Sequence, residues 1–97
     1  MDDTRDDNSI YIGAKPFMNY VSSVMMQFTT KNASDVTIKA RGKFISRAVD
    51  VAQVASRRFV DTGIGVTDIR INSEEFQSEE GRQLRVSTIE IVLSKKK

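Results

Sequence analysis

Apolar residues recur along this chain with two different periods, and the switches between them mark out the elements. From Phe17 they fall at Phe17, Tyr20, Val21, Val24, Met25 and Phe28, the spacing of a helix with one apolar face. Pro16 fits the first turn of that helix, where its missing N–H costs nothing. The pattern fades near Thr30, ahead of a polar turn at 31–34. Residues 35–41 alternate instead: Val36, Ile38 and Ala40 point one way and Thr37, Lys39 and Arg41 the other, as in a half-buried strand. Gly42 breaks it. Residues 43–59 return to the helical period, with one row at Ile45, Ala48, Val49, Ala52, Ala55 and Phe59 and a second at Phe44, Val51, Val54 and Arg58. That arc is wider than one sheet contact requires, and Ala48, Ala52 and Ala55 permit close approach. A second packing partner is therefore expected for this helix, either the first helix or another subunit.

A short strand at 9–12 precedes the first helix, and two strands follow the turn region at 61–65. In the strand at 66–76, Ile69 and Ile71 are expected to face inward. In the strand at 85–93, Ile89, Ile91 and Leu93 do the same. Between them, NSEEFQSEEGRQL (72–84) is long and polar, which predicts a hairpin whose distal half projects as a flexible arm. The order is β-α-β-α-β-β. It predicts an α+β fold, a four-stranded mixed sheet with both helices on one face and neighbouring parallel strands from the βα units.

Composition narrows the chemistry. The 97 residues contain no cysteine and no histidine, which excludes disulfides, Cys/His zinc sites and imidazole- or thiol-based catalysis. No apolar run approaches the roughly 20 residues that span a bilayer, and the acidic beginning is unlike a signal peptide. An intracellular protein without a membrane partner is expected. Asp50 and Glu90 are isolated. The other carboxylates concentrate in the first seven residues and the hairpin, so neither a metal site nor an enzyme active site is expected. The net charge of +2 hides an asymmetry. Residues 1–7 carry four aspartates against Arg5, leaving the remainder clearly basic. Residues 1–8 read as a disordered acidic tail and 9–97 as one domain.

The basic residues acquire meaning from the predicted topology. Parallel first and second strands end at the same sheet edge, and each feeds a helix through a short loop, 13–15 and 40–43. Lys15, Arg41 and Lys43 then collect beside two helix N-termini, an arrangement suited to phosphate. Turn glycines with solubilising charges account for the same residues equally well. Arg82 and Arg85 lie on the returning side of the hairpin. They suit a ribbon entering a groove, but Glu74, Glu75, Glu79 and Glu80 on the outgoing side offer them cross-strand ion pairs instead. Lys95–Lys97 reads as a solvated tail. Phe59 is either a core plug or a contact for self-association. A protein-interaction module with incidental charge is the remaining alternative.

Four segments, IGAKPFMNYV (12–21), IKARGKFISRAVD (38–50), RRF (57–59) and EGRQLRVSTIEI (80–91), resemble in order and spacing the Alba family of small archaeal chromatin proteins. The similarity runs from about Ile10 to Leu93. The resemblance implies a fold related to the C-terminal domain of translation initiation factor three. It also implies a cytoplasmic, chromosome-associated homodimer that binds double-stranded DNA without much sequence preference and also binds RNA, with no cofactor and no small-molecule substrate. An RNA-binding subunit of a ribonucleoprotein is the alternative within the family. By position, Lys15, Arg41 and Lys43 belong to the nucleic-acid-binding body with Asn19 and Tyr20 near them. Arg82 and Arg85 belong to arms reaching along the minor groove, and Phe59 corresponds to the aromatic that packs between neighbouring dimers. Where the family often has the first of two adjacent lysines, the one subject to acetylation, this chain has Ala14.

Overall fold

The computed structural model describes residues 8–95; of the acidic tail expected over 1–8, residues 1–7 lie outside the described residues, as do the last two lysines, while the Asn8 carbonyl accepts from Thr37 N–H at 3.1 Å. Strand β1 (Ser9–Tyr11) leads to helix α1 (Phe17–Thr29), and β2 (Asp35–Arg41) leads to α2 (Ile45–Arg58) through a 3-10 turn at Gly42–Phe44. A second 3-10 turn, Val60–Thr62, precedes the long strands β3 (Ile64–Gln77) and β4 (Gln83–Lys95). Pro16 stands one position before α1 with ψ 141°, an extended residue that starts the helix from outside rather than within its first turn.

The strands lie in the order β1-β2-β4-β3. β1 pairs parallel to β2, with Tyr11 opposite Lys39. β4 runs antiparallel to both β2 and β3. Thus β2 and β3 share a direction but are not neighbours, because β4 lies between them. Both helices pack on one face. Val36, Ile38, Ile89, Ile91 and Leu93 of the sheet meet Tyr20, Val21, Val24 and Phe28 of α1 and Ala48, Val51, Ala52 and Ala55 of α2 in one buried cluster. The expected second partner of α2 is α1: the rings of Phe28 and Phe59 meet edge to face at 5.4 Å.

Packing decides the exposure of three apolar residues. Ile69 and Ile71 share the helix-side face with their cross-strand partners Ile91 and Ile89, yet they are exposed at 58% and 79%. Alternation reports which side a residue points to, not whether a layer covers it. β3 is the edge strand, and neither helix covers it at these residues. Phe59 is buried at 6%, so within this chain its ring serves as the core plug. The hairpin expected at 72–84 is present as a regular ribbon with a short turn. The strands continue to Gln77 and from Gln83, and the turn closes with Ser78 N–H donating to the Arg82 carbonyl at 2.8 Å and Gly81 N–H to the Ser78 carbonyl at 2.9 Å. Gly81 has φ +81°, the left-handed conformation such a turn requires.

Candidate functional site

The parallel register carries the chain out of β1 and β2 side by side, and Ile12 N–H still donates to the Lys39 carbonyl at 2.9 Å. Lys15 and Arg41 therefore leave the same sheet edge, and Lys43 follows two residues later; all three are exposed. Gly42 permits this path. Its φ is +59°, and a Cβ there would meet Val86 Cγ2 at 3.2 Å, so a side chain would strain the backbone and press on β4.

Tyr20 shapes the first loop from below. It is only 5% exposed, and its hydroxyl accepts from the N–H groups of Gly13 and Lys15, each at 3.0 Å. The tyrosine thus organises the loop rather than offering its ring to a ligand. It also occupies two backbone donors that an unfilled phosphate cradle would present. Asn19 is exposed on the first turn of α1, its backbone N–H donating to the Pro16 carbonyl at 3.0 Å. With Lys15, Ser22, Met26 and Lys31 it lines a cleft between α1 and the free edge of β1.

Arg47, not singled out from the sequence, ties the first loop to α2. From the first turn of α2 its Nη2 donates to the Lys15 carbonyl at 2.7 Å, and its guanidinium lies 5.9 Å from the Phe17 ring centre. The available signal was spacing: Lys43 and Arg47 are four apart, and such residues share a helical face. Lys43 itself lies over the Phe44 ring at 5.5 Å.

The arginines at the arm are engaged. Arg41 Nη2 donates to Glu74 Oε1 at 2.9 Å, bridging from β2 across β4 to β3. Arg85 donates to its cross-strand partner Glu75. Arg82, in the turn, makes no ion pair among the described residues and is exposed. On the sheet face away from the helices, Tyr11, Lys39, Glu90 and Arg70 form one row by register, with Lys39 over the Tyr11 ring at 5.5 Å and 4.0 Å from Glu90. Among the described residues no three acidic side chains gather as a metal site, and no helix is long and apolar enough to cross a membrane.

The site therefore offers exposed cations at one sheet edge, with the loop of Lys15 braced by Tyr20 and Arg47, and a long ribbon bearing further arginines. Comparison with known proteins points to the same architecture. The Alba family model matches residues 8–73. The DNA/RNA-binding protein Alba 1 of Archaeoglobus fulgidus is 50% identical over 93% of this chain and 98% of its own length. The DNA/RNA-binding protein Alba of Methanococcus maripaludis is 46% identical over 92% and 99%. The solved structure of Alba from Thermoplasma volcanium superposes with a TM-score of 0.80 at 46% identity, covering 91% of this chain and all of that one. With the fold and the near-full-length matches in agreement, this chain belongs to the Alba family.

Proposed function

We propose that this chain is an architectural nucleic-acid-binding protein of the chromosome that works as a homodimer, holding double-stranded DNA by its backbone with little base preference and also binding RNA. The observation that carries the reading is the parallel β1–β2 pairing, which sends exposed Lys15, Arg41 and Lys43 out of one sheet edge. Relatives 46–50% identical over nearly the whole chain are named DNA/RNA-binding proteins, which supports both ligands.

The mechanism is electrostatic. Each lysine or arginine that neutralises a phosphate releases condensed counterions, so log K falls with log salt by about 0.9 per phosphate on B-DNA. Tyr20 and Arg47 hold the backbone of the first loop, which reduces the ordering cost of contact there. The arm, with Arg82 at its turn, extends the contact along a groove. Backbone contacts position a protein without reading sequence.

A second copy fits the uncovered apolar strip. Ile69, Ile71 and the α2 residue Val49 are all exposed in one chain, and Ile69 and Ile71 continue the core face of the sheet without a layer above them. Burying such a strip is the usual basis of a stable homodimer interface. Dimerisation doubles the number of basic edges presented to one nucleic acid, which raises avidity.

Titrating binding against salt, with duplex DNA and structured RNA as competing ligands, tests the reading. Wild type should bind both with a steep linear log–log dependence. The Lys15→Ala/Arg41→Ala variant should lose affinity for unrelated duplexes alike, with a slope shallower by about 2. No salt-dependent binding to either ligand in dilute buffer would sink it.

A further inference from the structure

We infer that Glu74 and Glu75 are built-in competitors for nucleic-acid phosphate that hold Arg41 and Arg85 in the free protein and so set how tightly it binds. The inference rests on the binding reading above.

Consecutive residues of a strand point to opposite faces. Glu74 and Glu75 therefore serve the two sides of the ribbon separately. On the face away from the helices, Glu74 sits opposite Val86 and reaches Arg41, whose own partner on β4 is Thr88. On the other face, Glu75 pairs directly across to Arg85 and also accepts from the Gln83 side-chain amide at 3.2 Å. Two of the arginines expected at the interface, one from the body and one from the arm, are thus each already bound to an oxyanion. The hairpin has two further glutamates, Glu79 and Glu80, at its turn. Neither makes an ion pair among the described residues.

A carboxylate presents to guanidinium the same pair of oxygens that a phosphate does. All four side chains in the two pairs are largely exposed, and exposed ion pairs are weak and screened by salt. A phosphate displaces such a pair, but it leaves a carboxylate unpaired beside the nucleic acid. The pairs therefore tax binding without preventing it. The Arg41–Glu74 pair also joins the body to the arm, so a phosphate taken up by Arg41 releases a restraint on the ribbon.

The test compares wild type, Glu74→Gln/Glu75→Gln and Glu79→Gln/Glu80→Gln on one duplex DNA across a salt series, with unfolding midpoints to verify that each is folded. Both variants remove the same charge from the same hairpin, so net charge cancels from the comparison. The 74/75 variant should bind about three- to tenfold tighter than the 79/80 variant at low salt, a gap that closes toward 1 M salt, where screening acts over only a few ångströms. Equal affinities for the two variants, or weaker binding by the 74/75 variant, would overturn the inference while leaving the binding function intact. If wild type and both variants all fail to bind in dilute buffer, the function itself fails and the competition with it.

Discussion

Ile69 and Ile91 face one another across β3 and β4, yet Ile91 is sealed at 2% exposure while Ile69 is open at 58%. The two belong to one apolar row that runs past the edge of the helical layer. Within one chain the row ends in water. Its open end is the surface that a second copy would cover.

Replacing Ile71, the more exposed neighbour of Ile69, by lysine should leave one chain's own packing almost untouched, since open surface substitutions alter stability by about 0.5 kcal/mol or less. In a dimer the same change buries an unpaired charge. Sedimentation equilibrium should show wild type as a dimer and Ile71→Lys as a monomer, and only wild type should have an unfolding midpoint that rises with concentration. A monomeric wild type at micromolar concentration would refute the proposed interface.

Tyr20→Phe removes one oxygen that satisfies two backbone donors, Gly13 N–H and Lys15 N–H. We expect a loss of about 1–3 kcal/mol in stability and weaker DNA binding, because the loop bearing Lys15 loses its brace. Denaturant unfolding and a binding titration measure the two effects. If the hydroxyl contacted nucleic acid instead of bracing the loop, binding would fall with stability unchanged.

Phe59→Ala should cost about 3–5 kcal/mol, as for other buried aromatic truncations, because the ring packs edge to face on Phe28. Phe59→Leu should keep most of the stability and all of the DNA binding. A role in packing dimers against each other would give the reverse: near-normal unfolding and altered cooperativity on long DNA.

Arg41 differs from Lys15 in serving both the body and the arm. Its pair with Glu74 links β2 to the ribbon, whereas Lys15 stands on a loop held by Tyr20 and Arg47. In single-site titrations both alanine variants should reduce the salt slope by about 0.9. Only Arg41→Ala should also increase hydrogen exchange in the outer half of β3 and β4, since it alone removes a restraint on the arm.

Local pattern was enough for the element order, for the parallel first pair of strands and for the edge where Lys15, Arg41 and Lys43 emerge. Those follow from period, from turn residues such as Gly42 and from topology, all of which act over short stretches of chain. It was also enough to raise the possibility that the hairpin glutamates occupy the arginines. It could not decide between alternatives that depend on what lies above or beside a residue. Phe59 as plug, Tyr20 as loop brace, Arg47 as the tie from α2 to the first loop and Ile69 and Ile71 as uncovered positions were all settled by the packing of distant segments. A side chain's direction is set by its own backbone, but its burial and its partners are set by chain dozens of residues away, and only the folded arrangement brings that chain within reach.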